Sequence, residues 1–487
     1  MVNQSRGSFL KHFLIIGSGT VINMFIGLVT TPIITRLVDP VEYGQLSIFT
    51  MYAGIAEMIL CLGLDQALVR FYYESDEIEY KRCLLFKCVL LPVLTTVGIS
   101  TLFLVLVYND IIYFEFDNVI AILLCICVLL QVIYRFSILL LRLDYDSKRY
   151  SLFSIIRKAA YLIFAVGLIF LVNKCYFLLL VTATIASIAL CVVLSINSNK
   201  RIWSFKKDDW TKQLVPNSEL LKYSMPFIIS MGVTQIFQAL DKISLNMYRS
   251  YAEVGVYSST MTLVHIFAII QTTFNALWSP MQVEHYTKNP EDHTFYQLAN
   301  QIITVVMFFI GLSLILVKDV FAYLLGSKYR EAAFILPFLI FNPIMYTISE
   351  TTVGGLVFKK KSNMEVLVAL GACITNFIGN TILVPRIGCQ GAAISTGISY
   401  IIFFTLRTCL GNIYYYTDFR LKKFYTLTVA TCILAFYASF HRTDTILVGG
   451  YCACIALLIV LYRKTVKWGG EYLIQNSKTI ISKYFNH

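Results

Sequence analysis

The sequence predicts an all-α, polytopic membrane protein of about fourteen transmembrane helices, arranged as two pseudo-symmetric six-helix lobes plus two extra helices. Three observations lead there: an apolar composition, a series of apolar stretches of bilayer length, and an internal repeat. The 487 residues are 57% hydrophobic and 14% charged, with a mean hydropathy of +0.71. A typical soluble chain carries roughly 25% charged residues. A soluble protein this apolar could not cover its surface. An ordinary cytosolic enzyme, a disordered chain and a secreted disulfide scaffold are excluded. The thirteen cysteines are scattered through apolar runs without a C-x-x-C, as small buried hydrophobes would be.

A bilayer core needs about 20 mostly apolar residues per helix. Such stretches occupy residues 13–35, 45–68, 85–107, 119–141, 152–172, 176–196, 224–247, 255–279, 299–317, 332–352, 364–384, 390–411, 424–440 and 445–462. The run after Lys11 lacks a small-residue cleavage site, so it reads as a first transmembrane helix rather than a signal peptide. The longest loop, near 197–222, is basic, with Lys200, Arg201, Lys206, Lys207 and Lys212. With the N-terminus in the cytoplasm, 29 of the 40 basic residues fall in inward tails and loops or in the first two turns of the stretches that follow them, and 8 in outward loops. Arg135, Lys242 and Arg407 are the remainder, inside stretches. This asymmetry predicts a multi-pass protein with both termini cytoplasmic. It also accounts for the net charge of +12 without nucleic acid.

The repeat appears on shifting the sequence by 211. Glu42, Gly44 and Ser47 then fall on Glu253, Gly255 and Ser258, and Leu10-Lys11 on Leu221-Lys222. Further on the offset becomes 212, and Lys148-Arg149 meets Lys360-Lys361. An even number of stretches, six, separates the copies, so both halves have the same orientation in the membrane. The expected division is 1–212 for an N-terminal lobe, 213–414 for a C-terminal lobe, and 415–487 for the last two helices and a cytoplasmic tail.

Motifs of soluble enzymes are absent from the sequence. Gly17-Ser18-Gly19 sits inside a span and reads as helix packing, and His285 and His293 are spaced too loosely for a metal motif. No resident cofactor or metal is expected. Ionisable residues inside spans are the informative signal, because a charge at mid-bilayer costs about 2.5–3.5 kcal/mol on insertion scales. Glu57 lies near mid-membrane, with Asp65 and Arg70 following toward the cytoplasmic end. His265 falls within a turn of Glu57 once the repeat offset is subtracted. Glu57 and His265 are therefore expected to face a shared cavity and couple H+ or Na+ to transport. Arg135 either binds an anionic group or snorkels to headgroups. Asp241 and Lys242 are helix neighbours, so at most one points into a cavity. Arg36 and Glu350, near span ends, are further cavity candidates.

Three stretches carry a family resemblance: Pro32-Ile-Ile-Thr-Arg36-Leu-Val-Asp-Pro40-Val-Glu-Tyr43-Gly44, Leu62-Gly63-Leu64-Asp65-Gln-Ala67-Leu-Val-Arg70-Phe71-Tyr72-Tyr73-Glu74, and Asn376-Phe-Ile-Gly-Asn380-Thr-Ile-Leu-Val-Pro385-Arg-Ile-Gly388-Cys-Gln-Gly391-Ala392-Ala393. Together they resemble the bacterial O-antigen and capsule oligosaccharide flippases, a branch of the multidrug/oligosaccharidyl-lipid/polysaccharide exporter superfamily. The resemblance implies a V-shaped, non-enzymatic transporter in the bacterial inner membrane. It would move an undecaprenyl-pyrophosphate-linked oligosaccharide between leaflets by alternating access. It further implies Gly44 and Gly255 at outer turns and Gly388 in a tight turn. A monomer is expected, with a polysaccharide polymerase as a partner of the pathway. A multidrug exporter of the same superfamily is the nearest rival, although such exporters usually have twelve helices. A peptidoglycan-precursor flippase is disfavoured by few basic residues in the first two spans. A membrane polymerase or ligase is disfavoured by the short outward loops.

Overall fold

The computed structural model describes residues 2–172, 174–204, 216–361 and 363–467. Lys206, Lys207 and Lys212 of the basic loop lie outside the described residues. The helices are α1 (Val2–Leu37), α2 (Pro40–Leu60), α3 (Leu64–Phe71), α4 (Ile78–Tyr108), α5 (Asn118–Leu143), α6 (Ser147–Val172), α7 (Tyr176–Ser198), α8 (Lys200–Trp203), α9 (Asn217–Tyr248) and α10 (Tyr251–Val264). They continue as α11 (Ala268–Lys288), α12 (His293–Leu316), α13 (Lys318–Leu324), α14 (Ala332–Leu339), α15 (Phe341–Thr352), α16 (Gly354–Phe358), α17 (Asn363–Tyr414), α18 (Leu421–Ala438) and α19 (Thr445–Leu461). No strand occurs among the described residues.

Each of the fourteen apolar stretches begins and ends on these helices or within two residues of one. Helices are forced on such segments because hydrocarbon offers no partner for an open backbone N–H or C=O. Among the described residues nine helices are long and apolar enough to cross a membrane, or up to eleven when each of two bent pairs counts as one span. The bent pairs are α2–α3, at 52°, and α10–α11, at 46°. The 52-residue α17 contains two stretches, parted at Ile387 and Gly388. Gly388 has φ +57°, and only glycine enters that region without strain, so this motif glycine does make the expected tight turn. The chain is a multi-pass membrane protein.

Packing divides the chain into two compact units, Met1–Asn246 with Ser250–Ser258, and Met247–Arg249 with Ser259–His487. In the first, α6 packs on α1 and α7, and α5 on α7 and α4. Its core includes Ile34, Phe49, Leu124, Val128, Leu180 and Ile188. In the second, α15 packs on α17 and α12, and α18 on α19. The side chain of Asp444 accepts from the Leu447 N–H at 2.8 Å and caps α19.

The 211-residue repeat has a physical counterpart inside the first unit. Helix α2 starts after Asp39 and α10 after Ser250, which are equivalent under the shift. The two starts touch in a reciprocal way. A Cβ on Gly44 would collide with the carbonyl oxygen of Tyr251, and one on Gly255 with that of Pro40. Each would also lie 3.0–3.1 Å from the other glycine's backbone nitrogen. One turn on, the hydroxyls of Ser47 and Ser258 hydrogen-bond at 2.7 Å. Equivalent residues pairing with each other mark a local pseudo-two-fold axis. Gly44 and Gly255 thus do not sit in outer turns as expected. Both lie inside helices with negative φ, and their small size serves a backbone-to-backbone crossing.

Candidate functional site

The first unit carries an ionic cluster built from the break between α2 and α3. Leu62 (φ +51°) and Gly63 (φ +64°) take left-handed conformations that end α2 and turn the chain into α3. A Cβ on Gly63 would also lie 2.6 Å from the Ser224 carbonyl oxygen of α9. The Leu62-Gly63-Leu64-Asp65 motif is therefore the bend that brings Asp65 beneath α5. There Arg135 reaches both carboxylates. Its Nη1 donates to Glu57 Oε1 at 3.1 Å, while Nε and Nη2 donate to Asp65 Oδ2 at 3.1 and 2.8 Å. Gln66 Nε2 donates to the same oxygen at 2.8 Å. Asp65 is 3% exposed, and Glu57 and Arg135 are half-buried. Alanine at position 63 is expected to lower the melting temperature by several degrees, since it combines positive-φ strain with a backbone clash. A thermal-shift assay on the purified protein checks this; an unchanged transition contradicts this account of the bend.

One further cation, Arg157, joins the cluster, and Lys158 follows it in α6. Arg157 of α6 lies 4.9 Å from the centre of the Tyr134 ring and acts electrostatically on Glu57. Lys158 donates to the Asn23 carbonyl of α1 at 2.9 Å. Three buried acceptors, Asp65 Oδ1, Gln131 Oε1 and Asn23 Oδ1, have no hydrogen-bond partner among the described residues. Buried polar atoms are normally satisfied, so these leave open capacity for water, a cation or a hydroxyl group. Sequence reasoning counted Arg157 and Lys158 with the inward loop that precedes the stretch 152–172 and gave them no role. Both lie inside α6, well past its start at Ser147.

The other candidates are placed as follows. Arg70 is exposed and pairs with Glu74 at 3.0 Å, away from Asp65's partners. Arg36 ends α1 and is exposed. Asp241 is buried and accepts from the Tyr257 hydroxyl at 2.5 Å. Lys242 is half-buried and makes no ion pair among the described residues. His265 belongs to the second unit, exposed at the start of the one-turn link His265–Phe267 that bends α10 into α11. Repeat-related spans are thus both broken, although the second break comes about two turns earlier.

The second unit holds its own straddling arginine. Arg407 of α17 donates from Nη1 to Glu350 Oε1 at 2.8 Å and from Nε to Glu365 Oε1 at 3.2 Å. Ser349 Oγ also accepts from its Nη1, at 2.8 Å. The guanidinium lies 5.5 Å from the Tyr346 ring centre and 5.6 Å from that of Phe403. Glu350 was a candidate in the sequence; Arg407 and Glu365 were not. Glu115, in the α4–α5 loop of the first unit, was missed as well. It accepts from Tyr52, Asn246 and Tyr251 at 2.7, 2.7 and 2.8 Å, on the wall of an apolar cavity of about 480 Å³. A loop glutamate in an apolar chain gives no sequence signal of this.

Comparison with known proteins adds the following. The family described as polysaccharide biosynthesis protein matches residues 9–281, more than half of the chain. The probable low-salt glycan biosynthesis flippase Agl15 of Haloferax volcanii is 19% identical over 220 residues. That alignment spans 44% of this chain and 46% of the relative, so less than half of either is compared. Among solved structures, the lipid II flippase MurJ in an inward closed conformation aligns with a TM-score of 0.70 at 15% identity, over 95% of this chain and 100% of that one. An outward-facing multidrug resistance MATE family transporter of the MOP superfamily aligns with a TM-score of 0.56 at 15% identity, over 83% of this chain and 94% of that one. At such identities the likeness shows a shared fold.

Proposed function

This chain belongs to the polysaccharide biosynthesis protein family, and on that premise we propose that it is a flippase for a lipid-linked oligosaccharide. The substrate is a short oligosaccharide on undecaprenyl pyrophosphate, of the O-antigen or capsule type. It passes from the cytoplasmic to the outer leaflet of a bacterial inner membrane, with both termini cytoplasmic. The repeat halves 1–212 and 213–414 act as lobes in alternating access, and residues 415–487 add the last two helices and the tail. No covalent chemistry is required of the protein.

The observation that carries this reading is the buried ionic cluster of Arg135, Glu57 and Asp65, with Arg157 and Lys158 beside it. A pyrophosphate with several sugars cannot cross about 30 Å of hydrocarbon unaided. Arginine replaces phosphate hydration with paired donors. The open acceptors at Asp65, Gln131 and Asn23 suit sugar hydroxyls or a coupling ion. Proton or sodium entry at Glu57 and Asp65 would loosen Arg135 for an anion, which links an ion gradient to the cycle. His265 and Lys242 are proposed as further cavity groups. The likeness to a glycan flippase and to the lipid II flippase supports the substrate class. The likeness to a multidrug transporter favours a second reading, ion-coupled drug export.

Complementation separates the two. The chain is expressed in a bacterium lacking its own oligosaccharide flippase, with matching sugar-synthesis genes. Surface polymer is expected to return without build-up of the lipid-linked unit inside. Surface polymer absent across several sugar sets, with raised resistance to cationic drugs, would favour export instead. In the complemented strain, Glu57→Gln is expected to flatten the pH dependence of transport and lower its rate at least tenfold. Full activity with the pH profile intact would remove Glu57 from coupling.

A further inference from the structure

A second polar constellation lies in the second unit, outside the spans and far in sequence from the groups above. Helix α12 ends at Leu316, and after Val317 the residues Lys318 and Asp319 open α13. They meet Arg330, just before α14, and Arg442 and Thr443 of the α18–α19 loop. Asp319, Ala322, Tyr323, Arg330, Phe334, Arg442 and Thr443 line a pocket of about 150 Å³. Lys318 is fully buried beside it. Its Nζ donates to the His441 carbonyl at 2.8 Å, lies 4.8 Å from the Phe334 ring centre, and stands 4.0 Å from Asp319 Oδ1.

The charges in this pocket do not balance. Asp319 is the carboxylate on its wall, and Oδ2 already accepts from the Thr443 N–H at 2.8 Å. Burial works against its ionised form, but the Thr443 bonds together with Lys318 and Arg442 outweigh it and hold its pKa below the usual range. Asp444, the next acid along, is engaged by the Tyr437 hydroxyl at 2.5 Å and by the Leu447 N–H. Arg330 and Arg442 form no ion pair among the described residues; Arg330 rests over Tyr323 at 5.1 Å. Burial pushes the Lys318 pKa down, and Arg442 adds to the depression against the pull of Asp319 and, more weakly, of Asp444. Excess positive charge around a small, partly enclosed space is what an anion relieves.

We infer that this pocket is an anion site that takes a single phosphoryl group on Arg330 and Arg442, with Lys318 behind them. Size sets the class. About 150 Å³ is several times the ~30 Å³ share of one water molecule. It is below the ~300–1,000 Å³ of small-molecule pockets, too small for a sugar chain. Planar guanidinium groups match phosphoryl oxygens in pairs. The group is either inorganic phosphate or the headgroup phosphate of a lipid at the membrane edge.

The test uses the full-length protein in lipid nanodiscs. One arm titrates inorganic phosphate by calorimetry in phosphatidylcholine discs. The other measures, by native mass spectrometry, how much phosphatidylglycerol the protein retains from mixed discs. Wild type is expected to bind in at least one arm, and the arm that responds names the source. Arg330→Gln and Arg442→Gln, made singly and together, are expected to weaken that binding at least tenfold in the double variant. Both positions are exposed, so folding should persist, and each single variant gives an independent reading. Binding in neither arm, or binding equal in wild type and double variant, overturns the site.

Discussion

Replacing Arg135 by alanine is expected to abolish transport and to destabilise the first unit by about 3–5 kcal/mol, the usual loss when one partner of a buried ion pair is removed. Glu57 and Asp65 would be left facing each other's charge without the guanidinium that now bridges them at 3.1 and 2.8 Å. Stability and function can be parted. The triple variant Arg135→Ala, Glu57→Gln, Asp65→Asn removes both carboxylates together with the guanidinium that bridges them. It should recover most of the lost stability, because replacing a complete buried charge set is often neutral. Transport should stay absent. Thermal unfolding in detergent and the complementation assay read the two quantities separately. Recovery of transport along with stability would mean that the cluster serves only to hold α2, α3 and α5 together.

The second large effect is expected at the crossing of α2 and α10. Gly44→Ala or Gly255→Ala places a methyl group into a backbone carbonyl, which cannot swing aside as a side-chain end can. Overpacking of this kind costs about 1–3 kcal/mol, and the upper end is expected here. Because the contacts are reciprocal, the two variants should lower the melting temperature by similar amounts. The double variant should lose less than the sum, since the first substitution already parts the helices. Ser47→Ala, which deletes only the hydroxyl pair at 2.7 Å, should cost about 1 kcal/mol. Equal stability of Gly44→Ala and wild type would contradict the crossing.

The lengths and positions of the helices were legible in the sequence because a bilayer permits little else. The repeat was legible too. Ser47 and Ser258, paired on paper by a shift of 211, are hydrogen-bonded in the structure. What the sequence hid were the angles. Glu57, Asp65 and Arg135 were each visible as charges in apolar stretches. Their convergence depends on the bend at Leu62-Gly63, a tertiary feature held against Ser224 of α9. Gly44 and Gly255 were noticed, but a glycine near a helix start reads equally as a turn or as a contact, and only packing decides. Arg157 and Lys158, near the start of their stretch, were counted with the loop before it because charges usually mark span ends; the Tyr134 ring of α5 and the Asn23 carbonyl of α1 give them partners there. Arg407 was seen inside its stretch and given no role, since Glu350 comes to it from α15 and Glu365 from the far arm of α17, across the break at Ile387 and Gly388.

The flippase reading is tested most directly by translocation itself. The purified protein is reconstituted into vesicles that carry a fluorescent undecaprenyl-pyrophosphate oligosaccharide, and the fraction reachable by an external quencher is followed over time. Wild type is expected to bring the inner-leaflet pool to the outside at a rate that an imposed ion gradient changes. The triple variant, folded to the same thermal stability, is expected to leave it in place. Equal rates in wild type, triple variant and protein-free vesicles would contradict the account.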